Sequence, residues 1–338
     1  MRSFILVRIL ILVLVFNQVS QAQTMLKGVN LAGAEFESGT FWPNQNEFDY
    51  FNTKGMNVYR IPFMWERLQP QLNQPFDSDY FSALIQVIDA ATTNGSFAIL
   101  DPHNYARYNS QLIGSTAVPN SAFADLWSRL AIEFSANPRV IFGLMNEPNN
   151  MPTEQWLTSA NVAIMAIREA GAEQLILVPG NAWTGAHSWT QNWYGTSNSI
   201  VMLGVVDPNN NFAFDLHQYF DADFSGTSAF CEIGNGSMQL ENVSQWLRAN
   251  GMMGFLGEFG GANNLACQQA IESALDYLEN NSDVWLGWSW WAAGPQWGDY
   301  IFTLEPTNNY SDDRPQMAWL EPYLNLGIDD FIFVNGFE

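Results

Sequence analysis

Two glutamates, Glu147 and Glu258, each end an apolar run and are followed at once by residues that stop a strand. The first ends Val140-Ile-Phe-Gly-Leu-Met-Asn-Glu-Pro148. The second ends Met252-Met-Gly-Phe-Leu-Gly-Glu258, ahead of Phe-Gly-Gly261. Near-continuous apolar runs of this length read as strands covered on both faces. Pro148 removes an N–H donor and favours an extended conformation at Glu147, so the ladder is expected to stop there. Two carboxylates delivered to the same end of buried strands could work as a pair, one protonated and one ionised. The plainer alternative is that each caps a strand or meets an arginine. Other polar groups also end predicted strands: Arg60, His103, Asn146, His217, Tyr219 and Trp291. The chain has only three histidines, and two of them hold such positions.

Those residues need a scaffold that brings strand ends together. Strand patterns occur at 26–33, 57–63, 97–104, 140–148, 174–179, 212–219, 252–261 and 284–291. Helical spacing falls between most of them, at 48–54, 78–93, 121–135, 153–170, 237–249 and 264–280, with Gly55, Asn94-Gly95, Gly171 and Asn250-Gly251 as stops. The third of these helices is expected to be capped by Asn120 or Ser121. Eight strands alternating with helices specify an α/β fold, a (β/α)8 TIM barrel in one catalytic domain. Barrels of this kind place their chemistry at the carboxyl ends of the strands. The stretch 182–211 is rich in Trp, Asn and Ser and reads as a long loop over that face.

Taken in order, Arg60, Asp101-Pro-His-Asn-Tyr-Ala-Arg107, Asn146-Glu-Pro148, His217-Gln-Tyr219, Gly257-Glu-Phe-Gly260 and Trp290-Trp-Ala-Ala-Gly294 resemble glycoside hydrolase family 5, in its endo-β-1,4-glucanase branch. The resemblance covers residues 25–325. The segment Phe220–Cys231 resembles the fungal-type endoglucanase II branch, although Phe259 stands where that branch often has Thr. The resemblance implies a retaining hydrolase of internal β-1,4 bonds in cellulose or β-glucan. Glu258 is then the nucleophile and Glu147 the acid/base. Asn146 holds a sugar hydroxyl, Arg60 and Tyr219 bracket Glu258, His103 and His217 contact substrate and carboxylates, and Trp291 forms the floor of a sugar site. Two charges ~5 Å apart at an effective dielectric of ~20 repel by roughly 3 kcal/mol, about two pK units. A bell-shaped pH profile with a mildly acidic optimum is therefore expected. A β-mannanase or mixed-linkage glucanase shares the motifs. A non-catalytic carbohydrate-binding barrel should lack one of the two glutamates.

Aromatic platforms suit sugar rings, whose faces present polarised C–H groups. Fourteen tryptophans are present, with Trp42, Trp65, Trp183, Trp189, Trp193 and Trp297 in predicted loops; core packing is the competing use of each. Arg2 and Arg8 precede a short apolar run ending at Phe16, and Ser20-Gln-Ala22 offers a cleavage site, so residues 1–22 read as a signal peptide of a secreted protein. The apolar run is short for a spanning helix, and no membrane contact is expected after cleavage. Ten cations then face 34 acids, a net charge of about −24, which repels nucleic acid and anionic membranes and tolerates a neutral polysaccharide partner. Cys231 and Cys267 could pair or remain buried thiols, and the resemblance implies the disulfide. No cofactor is expected, and no metal, because Arg60 is poor company for a divalent cation. A monomer is expected. Residues 326–338 form a tail to which the sequence assigns no role.

Overall fold

The computed structural model describes residues 25–232 and 234–324. The signal segment and the tail lie outside the described residues. Eight strands close into one barrel: β1 (Leu26–Leu31), β2 (Val58–Phe63), β3 (Phe97–Pro102), β4 (Val140–Gly143), β5 (Ile176–Pro179), β6 (Phe212–His217), β7 (Gly254–Phe259) and β8 (Trp285–Ala293). Each strand pairs in parallel with its sequence neighbours, and β8 closes on β1. Six longer helices lie between them: α1 (Gln45–Thr53), α2 (Ser78–Thr93), α3 (Asn120–Phe134), α4 (Thr153–Glu169), α5 (Asn235–Asn250) and α6 (Leu265–Asn280). This is the expected (β/α)8 barrel. Among the described residues no helix is long and apolar enough to cross a membrane.

The two-residue period of a strand divides the chain between two cores. Outward residues such as Tyr59, Ile61, Ala98 and Leu100 join the large cluster under the helices. Inward residues near the strand starts form a second cluster that plugs the barrel: Leu26, Val58, Phe97, Ile99, Ile141, Leu177, Ala213, Phe255 and Leu286. Two positions further along β1, β2, β3 and β6, the inward side chains turn polar. Asn30 follows Gly28, Arg60 follows Val58, Asp101 follows Ile99, and Asp215 follows Ala213, all within 2 % of full burial. Gly257 makes room there, because a Cβ on it would meet Asp215 Oδ1 at 2.1 Å.

Local details differ from the sequence reading. α1 starts three residues early, because Asn44 caps it and Glu47 completes a capping box. α3 follows Pro119 without a side-chain cap, and Asn120 Oδ1 accepts from Ser159 Oγ instead. Between β5 and β6 the chain forms only a four-residue helix, Asn198–Val201, and a 3-10 turn. A two-stranded hairpin at Arg107–Tyr108 and Gln111–Leu112 sits in the loop after β3.

The expected disulfide is present between Cys231, in the loop after β6, and Cys267, in the first turn of α6. It ties the loop after β6 to a buried position in the first turn of α6. Cys267→Ser should lower the urea midpoint, with a loss of unfolding free energy of up to about 4 kcal/mol for a closed loop of 36 residues in the chain-entropy account. Cys231→Ser should lower it equally and the double change no further, since one bond is lost in each case. An unfolding transition identical to wild type would show that the bond adds nothing.

Candidate active site

The polar layer above the barrel plug is built around Arg60. Its Nη1 donates to Glu258 Oε1 at 2.7 Å and to Asn30 Oδ1 at 2.8 Å. Its Nη2 donates to Asn146 Oδ1 at 2.9 Å and lies 3.0 Å from Asp101 Oδ2. Burial works against its charge, yet Asp101 and Glu258 hold the guanidinium charged beyond its ordinary range. The arginine thus joins residues from β1, β2, β3, β7 and the loop after β4.

Because Asn146 Oδ1 faces the guanidinium, its Nδ2 faces His103 Nε2, at 3.0 Å. Nε2 must therefore accept, and His103 Nδ1 carries the proton toward Asp101 Oδ2 at 2.8 Å. Asp101 raises the affinity of His103 for a second proton, against the effect of burial. The His103 ring stacks on Trp291 at 5.2 Å with planes 19° apart. Trp291 remains half-buried, and the peptide that follows it is cis.

Glu258 receives a second donor, Tyr219 Oη, at 2.8 Å from Oε2. Glu147 meets His217 Nδ1 at 2.8 Å, and the same nitrogen lies 3.5 Å from Glu258 Oε2. One carboxylate oxygen from each glutamate and a nitrogen of His217 all lie within 4.8 Å of one another. Burial raises both carboxyls. The raise is stronger at Glu147, where the charge of Glu258 adds to it, whereas Arg60 and His103 oppose it at Glu258. These are shared titrations of a pair. Glu258, with Arg60 and Tyr219 as donors, ionises first, and Glu147 holds its proton to higher pH. Burial and the nearby Arg60 keep His217 neutral. Glu147, His217 and Glu258 could offer ligand atoms to a cation, but the guanidinium already supplies the positive charge at Glu258.

β4 ends at Gly143, earlier than its apolar run suggests. The chain still follows its neighbours, with Leu144 N donating to Leu177 O and Asn146 N donating to Pro102 O. Glu147 has φ 40°, a left-handed conformation, in place of the extended one expected before proline. Asn149 Nδ2 donates to its carbonyl at 3.0 Å, and His217 holds its carboxylate. These contacts outweigh the local preference.

Arg60, His103, Asn146, Glu147, His217, Tyr219, Glu258 and Trp291 therefore converge. Sequence reasoning gave no role to Asn30, Asp101 or Asp215. Their signal was the strand period, which puts all three inward at one level. The tryptophans divide differently. Trp65 and Trp189 are wholly buried core residues, and Trp42 packs half-buried on Tyr80. Trp183 and Trp193 are 39 % and 52 % exposed and lie edge to face beside Tyr194. In the loop after β8, Trp297 is half-buried between Phe36 and Trp291.

A family described as "Cellulase (glycosyl hydrolase family 5)" matches residues 19–294. The endo-beta-1,4-glucanase A of Emericella nidulans is 42 % identical over 308 residues, 88 % of this chain and 91 % of that one. A structure of XacCel5A in complex with cellopentaose superposes with a TM-score of 0.87 at 48 % identity, covering 89 % of this chain and 99 % of that one. Cel5A (EG2) of Hypocrea jecorina superposes with a TM-score of 0.83 at 32 % identity, covering 90 % of this chain and all of its own.

Removing a buried cation while leaving its carboxylates in place is strongly destabilising. Arg60→Met should cost about 3–5 kcal/mol at neutral pH. The carboxylates left behind take up protons as pH falls, so the cost should shrink in acid. Urea midpoints of the two proteins measured from pH 7 down to pH 5 check this, and a gap that stays constant or widens contradicts it.

Proposed function

This chain belongs to glycosyl hydrolase family 5, and from that premise we propose that it is a retaining endo-β-1,4-glucanase with Glu258 as nucleophile and Glu147 as acid/base. The observation that carries the reading is the spacing of the carboxylates, with facing oxygens within 4.8 Å. Retaining glycosidases hold the two groups ~5–5.5 Å apart, whereas inverting ones need ~6.5–9.5 Å to seat a water. The substrate class rests on the family and on relatives described as endo-beta-1,4-glucanases, one of them seen with cellopentaose.

In the first step Glu258, ionised beside Arg60, attacks the anomeric carbon from one face. Glu147 gives its proton to the glycosidic oxygen, and the chain end departs as an alcohol. The product is a glycosyl ester of Glu258. In the second step Glu147, now ionised, takes a proton from water, whose oxygen attacks the same carbon and releases Glu258. Two inversions leave the configuration unchanged. Tyr219 and Arg60 orient the nucleophile through hydrogen bonds to its two oxygens. Asn146, whose amide is fixed between Arg60 and His103, meets the sugar beside the cleaved bond, and Trp291 supplies the apolar floor under it.

Aromatic groups stand in two loops beside the strand ends, Trp183 and Trp193 after β5 and Trp297 after β8, an arrangement suited to an internal stretch of polymer. We place the activity outside the cell, with export directed by residues 1–22 and the enzyme acting as a monomer on its polysaccharide. N-terminal sequencing of protein from culture medium should begin at Gln23, and an intact leader there argues for tethering.

Wild type should hydrolyse carboxymethylcellulose faster than galactomannan, and Glu258→Gln should lose both activities by several orders of magnitude. Mannan cleavage alone keeps the mechanism and changes the substrate. Activity retained by Glu258→Gln removes the double-displacement reading.

A further inference from the structure

β3 and β6 carry the same Asp-x-His pattern, Asp101-Pro-His103 and Asp215-Leu-His217. On β3 the aspartate has an evident task, because Asp101 Oδ2 meets His103 Nδ1 at 2.8 Å and settles which ring nitrogen carries the proton. On β6 the aspartate has none in the mechanism above. Asp215 and His217 are each 2 % exposed. Asp215 Oδ1 and His217 Nε2 find no hydrogen-bond partner among the described residues. Buried polar atoms rarely stay unpaired, since each costs the desolvation of the group. The nearest ionic contact of Nε2 is Asp215 Oδ2, at 3.9 Å, less than an ångström beyond hydrogen-bonding range. The side chain can approach Nε2 but not swing away toward β7, because Gly257 already stands against its other oxygen.

We propose that Asp215 is a positioning residue whose carboxylate accepts a hydrogen bond from His217 Nε2–H, leaving Nδ1 as an acceptor facing Glu147. It rests on the reading of Glu147 as the acid. A protonated Glu147 then donates to Nδ1 at 2.8 Å and is held in its acid form until the glycosidic oxygen replaces the imidazole. The opposite tautomer, with Nδ1–H aimed at Glu147, favours the carboxylate and discharges the acid early. The contact between Asp215 and His217 thus sets which form of Glu147 the resting enzyme keeps.

The charges around the pair are compatible. Arg60 from β2, Asp101 from β3 and Glu258 from β7 face Asp215, while β5 carries no titratable residue. Arg60, His103, Glu147 and Glu258 face His217. Burial pushes the Asp215 carboxyl up to about 7, and Arg60 acts in the opposite sense. A hydrogen bond received from Nε2 also favours the anion.

The test is nitrogen NMR of the imidazoles, which is tractable with three histidines in the chain, and the His217 signal can be assigned by its loss in His217→Gln. Wild type should show His217 protonated at Nε2 and bare at Nδ1. Asp215→Asn, which can turn an N–H toward Nε2, should reverse this. Its kcat/KM on cellooligosaccharides should lose its basic limb about one pH unit earlier, the scale of one hydrogen bond to a charged group. Above that limb the deficit should be about tenfold larger than on dinitrophenyl cellobioside, whose leaving group needs little proton assistance. A structural role alone predicts equal losses on both substrates. Wild-type His217 protonated at Nδ1 overturns the proposal whether or not the variant folds. An Asp215→Asn enzyme with unchanged tautomer and unchanged basic limb does so as well. Failure of the acid assignment itself would appear separately, as a Glu147→Gln enzyme that keeps full activity on cellooligosaccharides.

Discussion

A single guanidinium sits at the level where the barrel changes from apolar plug to reactive face, and the arrangement above it depends on that placement. Arg60 is fully buried, so its charge must be met inside the protein. Asp101 and Glu258 meet it, and the amide oxygens of Asn30 and Asn146 accept from its two terminal nitrogens. The reverse also holds, since Arg60 works against the effect of burial on the Glu258 carboxyl. An arginine serves here where a lysine would not. Its planar fork addresses four acceptors in fixed directions, and it stays charged under burial that would neutralise an ammonium group.

From that point the hydrogen bonds run outward in a determined order. Arg60 sets the orientation of Asn146, which sets the accepting nitrogen of His103, whose other nitrogen donates its N–H to Asp101. Asn146, His103 and Asp101 are each fixed by a neighbour, so this part of the site is organised before any substrate arrives. The two glutamates share this network and yet differ, because Glu258 touches its centre and Glu147 only its edge. That asymmetry pushes their proton affinities apart.

The barrel and the loops divide the remaining work. Strand ends supply the groups that must be placed to within fractions of an ångström, and every neighbouring strand constrains them. The loops supply the aromatic surface, where small displacements matter less. The stretch after β5 illustrates this division: it forms almost no helix, buries Trp189 as an anchor, and leaves Trp183 and Trp193 at the rim. The excess of acidic residues has little effect on a neutral substrate.

The sequence by itself determined the barrel, through eight apolar runs of strand length separated by helical spacing and turn residues. It also determined which polar groups stand at the strand ends, because each run stops at a Pro, Gly or polar cluster that local chemistry makes legible. Local patterns could not say which loop tryptophans are core and which are surface, since both uses satisfy the same composition. Nor could they show that Glu147 adopts a left-handed backbone, where contacts from Asn149 and His217 override the bias of Pro148. The inward roles of Asn30, Asp101 and Asp215 were likewise settled only by tertiary structure. A strand's period says that they share a face, but barrel closure alone brings that face around one buried arginine.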